Sequence, residues 1–171
     1  MHARRPVLSV IGSSGVLPDD VHAMAKSLGR AAVDAGFRVA SGGRDGVMAA
    51  VSEGARGSDA WTEGTIVGVL PSYDSHEANA YVDIVIPTGL GFARNTLVVA
   101  MADVVVAVAG ASGTLSEMAL AWQLKKPVIA LASTGGWAAR LAGERLDDRL
   151  SRPVRTATDP AHAIELALSA I

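Results

Sequence analysis

Val7-Leu8-Ser9-Val10-Ile11-Gly12-Ser13-Ser14-Gly15 decides the fold of this chain. Five β-branched and aliphatic-rich residues predict a short strand, and the glycine and serine run that stops it predicts a tight loop. Asp19 or Asp20 then supplies an N-cap for a helix lasting to about Ala35. Gly36 closes that helix, and the unit repeats: a strand over 37–40, the loop Ser41-Gly42-Gly43-Arg44-Asp45-Gly46, and a helix to about Arg56. Further strands are expected over 65–70, 81–86, 104–108 and 127–131, with an edge strand over 153–156. Helices are expected from about Gly91 to Met101, from Gly110-Ala111-Ser112-Gly113 to about Leu124, and from Thr158-Asp159-Pro160, where cap and proline stand in favourable order. Residues 71–80 form a polar loop able to fold over whatever lies nearby, and Gly135-Gly136-Trp137 reads equally as a plain loop or a lid.

Strands that are apolar throughout and separated by helices imply a parallel sheet covered on both faces. The expected fold is therefore α/β: a three-layer, Rossmann-like, doubly wound parallel sheet of about six or seven strands with helices on both faces. At 171 residues, with no linker or shift in composition, the whole of 1–171 reads as one domain. Half the residues are hydrophobic and 19% are charged, which fits a globular chain and excludes disorder. The absence of cysteine excludes disulfides, thiolate zinc sites and cysteine nucleophiles. His2, His22, His76 and His162 lack metal-ligand spacing, so no metal is expected. A net charge of -2 and few aromatics argue against a nucleic-acid partner. With no long apolar run and no signal-peptide core, the expectation is a cytoplasmic protein with no membrane partner.

In such a sheet ligands bind outside the carboxyl ends of the strands. Four glycine loops fall at those ends: Gly12-Ser13-Ser14-Gly15, Gly42-Gly43-Arg44-Asp45-Gly46, Thr88-Gly89-Leu90-Gly91 and Gly110-Ala111-Ser112-Gly113-Thr114. Glycine lets the backbone approach a ligand, and a helix starting straight afterwards offers unpaired N–H groups, so an anion is the natural occupant. At Gly110, Ser112, Gly113 and Thr114 phosphate binding competes with a plain tight turn; at Gly42, Gly43 and Gly46 it competes with close helix-to-strand packing. The loop at Gly12, Ser13 and Ser14 lacks G-x-G-x-x-G spacing, and no Walker lysine follows any loop, which argues against a nicotinamide enzyme or a P-loop NTPase. It remains a candidate for phosphate or nucleobase, and Arg44 and Thr88 join the list of ligand-binding residues. Arg94 is either a cation at the rim or a solvated surface residue, and Glu117 is either a site carboxylate or half of a capping box. Trp122, with Leu115, Met118 and Ala119, belongs to the core or a subunit contact. The helix over 92–101 is apolar nearly all round, which predicts a homodimer or homotetramer.

Ser41-Gly42-Gly43-Arg44-Asp45-Gly46-Val47-Met48, Gly91-Phe92-Ala93-Arg94-Asn95 and Gly110-Ala111-Ser112-Gly113-Thr114-Leu115-Ser116-Glu117 together resemble the LOG-like (SLOG, "lysine decarboxylase-like") superfamily over about 7–131. The nearest look is to the branch of molybdenum cofactor carrier proteins, which implies an oligomer of Rossmann-like subunits holding a pterin phosphate. The function so implied is a binding protein or carrier for a phosphorylated small molecule, a nucleotide or a molybdenum cofactor-like pterin phosphate, with no other cofactor required. The cytokinin-activating LOG enzymes form a second branch, which hydrolyses nucleoside 5'-monophosphates to free base and ribose 5-phosphate. Their motif Pro-Gly-Gly-x-Gly-Thr-x-x-Glu resembles the stretch ending at Glu117, and their catalytic arginine falls on Arg94. The alternative is thus a phosphoribohydrolase in which Glu117 stabilises an oxocarbenium-like state and Arg94 holds the phosphate. The departures from that motif are Ala109 for its proline, Ala111 for its second glycine and Asn95 for the lysine that usually follows the arginine.

Overall fold

The apolar runs become strands and the glycine loops reverse the chain between them, in a computed structural model that describes residues 4–171. The elements are β1 (Val7–Gly12), α1 (Asp19–Asp34), β2 (Arg38–Ser41), α2 (Val47–Arg56), β3 (Ile66–Leu70), β4 (Ile84–Pro87), α3 (Asn95–Ala100), β5 (Val104–Val108), α4 (Ser112–Gln123), β6 (Val128–Leu131), α5 (Gly136–Leu141), β7 (Arg155–Ala157) and α6 (Pro160–Leu168). All seven strands pair in parallel in the order β4-β3-β2-β1-β5-β6-β7. The winding reverses between β1 and β5, whose register pairs Gly12 with Val108 at their carboxyl ends. A ligand crevice therefore opens there.

Helices α1, α2 and α6 cover one face through Leu28, Val33, Val51 and Ile164. Helices α3, α4 and α5 cover the other through Val98, Met118, Trp122 and Ala138. Helices α1 and α2 cross so closely that a Cβ on Gly29 would lie 1.9 Å from the Val51 carbonyl oxygen. Among the described residues, no helix is long and apolar enough to cross a membrane.

Several local expectations change. Pro18 occupies the cap position of α1, and Asp19 and Asp20 lie in its first turn, where their charge suits the helix dipole. The strand expected over 81–86 starts only at Ile84, because the Asp83 carboxylate is engaged by Arg56, the Trp61 indole N–H and the Ile66 amide. The helix expected from Gly91 to Met101 splits into a 3-10 turn over Gly91–Arg94 and the short α3. Helix α5 was hidden by its glycines. Gly135 and Gly136 take φ of 78° and 59°, and the Trp137 and Ala138 amides donate to the carbonyls of Gly110 and Ala109. Gly135-Gly136-Trp137 is thus neither plain loop nor lid: it supports the turn after β5 from below.

Candidate functional site

A cleft of about 270 Å³ lies at the switch point, between the ends of β1 and β2 on one side and the start of α4 on the other. After β5 the chain turns through two left-handed residues, Ala109 (φ 51°) and Gly110 (φ 103°). Alanine rarely adopts that conformation. Here the Ala109 N–H donates to the Thr134 hydroxyl at 2.7 Å, which in turn donates to the Leu131 carbonyl, so the turn is held by β6 as well as α5. The Gly110 N–H is consumed too, donating to Ser13 Oγ at 3.0 Å. The first bond of α4 runs from Leu115 N–H to the Ala111 carbonyl, and no side chain caps the helix. Among the described residues, the N–H groups of Ser112, Gly113 and Thr114 meet no acceptor. Three free donors at the positive end of a 12-residue helix are the groups with which a helix can accept an anion.

The start of α2 is different. Its first amide, Val47, donates to the Ser13 carbonyl, and a Cβ on Gly46 would lie 2.4 Å from that same oxygen. The chain itself therefore takes the first amide of this helix and crowds its end. Gly43 likewise serves packing: its Cα lies against Gly68, and its carbonyl accepts from the Asn79 backbone and side chain. The Thr88 hydroxyl donates to the Leu70 carbonyl and accepts from the Leu90 amide, closing the turn after β4.

The floor of the cleft is charged. Arg94 is only 9% exposed, and its guanidinium lies flat against Gly42, where a Cβ would come within 2.4 Å of Nη2. Its Nη1 donates to Asn95 Oδ1 at 2.8 Å, while Nε is buried without an acceptor. Glu117 projects from α4, is 6% exposed, and makes no hydrogen bond among the described residues. Burial raises its carboxyl to about 7, and the nearby Arg94 charge opposes part of that rise. Burial also lowers Arg94, against the attraction of Glu117 and with a further push from Arg44. Arg44 lies at the exposed mouth, 3.8 Å from Glu77.

The structure therefore brings Gly12, Ser13, Ser14, Gly42 and Arg44 together with Arg94, Ser112, Gly113, Thr114 and Glu117 around one cleft. Gly43, Gly46, Thr88 and Gly110 stand behind it, in the turns that shape it. Met48, Phe92 and Asn95 line the cleft without having been singled out as site residues. Asn95 had a signal, since it follows Arg94, and so did Phe92, an aromatic at the start of the same turn. No group of three metal-ligating side chains occurs among the described residues; His2 lies outside them.

The model of the SLOG cluster4 family matches residues 5–164. An uncharacterized protein from Archaeoglobus fulgidus is 33% identical over 124 residues, covering 72% of this chain and 78% of its own. Among solved structures, the molybdenum cofactor binding protein from the phototrophic bacterium Rippkaea orientalis is 36% identical with a TM-score of 0.81, and covers 97% of each chain. The molybdenum cofactor carrier protein from Chlamydomonas reinhardtii is 32% identical with a TM-score of 0.77, covering 97% of this chain and 98% of its own.

Proposed function

The chain belongs to the SLOG cluster4 family, and we propose that it is a carrier for a phosphorylated cofactor, with a pterin phosphate of the molybdenum cofactor type as its ligand. One observation supports this above the rest: three unpartnered amides at the start of α4 stand over a cleft floored by a buried arginine with a free donor. A phosphate monoester supplies the acceptors that both lack, and charge-assisted bonds of this kind are the strong ones. The names of the solved relatives point to the same ligand. A nucleotide would satisfy the phosphate cradle equally, so it is the second ligand class to test.

Holding is favoured over hydrolysis. The solved relatives are named as a molybdenum cofactor binding protein and a carrier protein, and the stretch ending at Glu117 departs from the hydrolase motif at Ala109 and Ala111, with Asn95 in place of the lysine after Arg94. The purified protein is expected to release no free adenine from AMP. Ile84 and Ile86 on β4 and Leu97 on α3 are exposed apolar side chains, and covering them between subunits suits a homodimer or homotetramer in the cytoplasm. No nucleic-acid partner is expected.

The test is direct. Protein purified without added ligand is denatured, and released pterin or nucleotide is identified by mass spectrometry, with equilibrium binding of the same compounds to the emptied protein alongside. A preparation that carries none and binds none refutes the carrier reading.

A further inference from the structure

Phe92 is 92% exposed yet lines the same cleft as Arg94 and the α4 amides. The chain has three Trp, two Tyr and two Phe, and the others that are largely covered have clear work. Phe37 and Trp122 are buried, and Trp61 and Trp137 lie under the guanidinium groups of Arg56 and Arg140; Tyr73 is exposed, but its ring lies against Gly89. Among the described residues, Phe92 belongs to no packed cluster. Its backbone is nevertheless held. The Gly89 and Gly91 amides donate to the carbonyls of Ser72 and Pro71, and two residues later Arg94 is anchored against Gly42. The backbone that carries the ring is thus fixed, and the ring offers an unpaired apolar face at the mouth of the cleft.

We infer that Phe92 is a specificity residue, providing the stacking face for a planar aromatic heterocycle whose phosphate sits on the Ser112, Gly113 and Thr114 amides. The inference rests on the carrier reading and extends it to the ring. Phenylalanine has no polar tip, so it recognises the face of a ring and leaves the ring's edge to other groups. Covering the exposed ring with a heterocycle also removes apolar surface from water, which adds to the stacking.

The experiment compares wild type with Phe92→Ala and Phe92→Leu, using three probes: inorganic phosphate, AMP and 6-hydroxymethylpterin phosphate. Wild type should bind the better ring-bearing probe more tightly than inorganic phosphate. Phe92→Ala should weaken that binding roughly tenfold while leaving inorganic phosphate within about twofold, and Phe92→Leu should recover only part of the loss. In Phe92→Trp, the new indole's fluorescence should be quenched by the ring-bearing probe and not by inorganic phosphate. Unchanged ring binding in Phe92→Ala, or an equal loss for all probes with an altered subunit mass, overturns the role given to Phe92 while leaving the phosphate site standing. Failure of wild type to bind any of the three overturns both readings.

Discussion

Glu117→Gln should stabilise the protein at neutral and alkaline pH. In the folded chain the Glu117 carboxyl holds its proton up to about pH 7, whereas an exposed glutamate gives it up near 4.5. Across that window the folded state binds a proton that the unfolded state releases, so the contribution of Glu117 to stability is full below pH 4.5, declines as pH rises, and is lost above about 7. At about 1.4 kcal/mol per pH unit, the loss comes to about 3 kcal/mol. Glutamine keeps the shape without the charge, so at pH 8 it should recover up to about 3 kcal/mol, or roughly 6–12 °C in Tm for a domain of this size. Thermal unfolding followed by circular dichroism from pH 4.5 to 8 reads the difference, with urea unfolding at pH 8 as a second measure. The two proteins should converge near pH 4.5 and separate as pH rises. Equal stabilities at pH 8, or a less stable variant there, would refute the account of a carboxyl kept neutral by burial.

Two further substitutions separate the site from its support. Gly42→Ala places a methyl against the Arg94 guanidinium, which is the movable end of a side chain, so phosphate affinity should fall about tenfold with a stability cost of about 1 kcal/mol or less, read by calorimetric titration and urea unfolding. Gly136→Ala strains a residue at φ 59° and brings its Cβ within 2.5 Å of the Ala109 backbone. It should cost about 1–3 kcal/mol and also weaken phosphate binding, because α5 supports the turn that aims the α4 amides; an unaltered affinity in a destabilised variant would contradict that support.

Much of this was legible in the sequence for a physical reason. Buried parallel strands must be apolar on both faces, so Val104–Val108 is visible as a run, and its neighbouring glycines mark the rim. Arg94 and Glu117 were visible as lone charges in apolar helices, and both prove buried in the cleft. What stayed hidden depended on contacts distant in sequence. Glycine at 135 and 136 looks like a loop until the Ala109 and Gly110 carbonyls supply its partners. The loops at Gly42 and Gly110 also look alike locally. Only Ser13, whose carbonyl takes the first amide of α2, distinguishes that crowded helix end from the start of α4, where the first three amides are free.

The central claim is that the anion sits on the free end, at the start of α4. Titration of isotopically labelled protein with inorganic phosphate, followed by amide nuclear magnetic resonance, reads this residue by residue. The largest shifts should fall on Ser112, Gly113 and Thr114 and on the Arg94 Nε–H, with Val47 at the start of α2 little affected. Shifts centred on Gly43 to Val47, or none at any concentration that saturates a phosphate site, would contradict it.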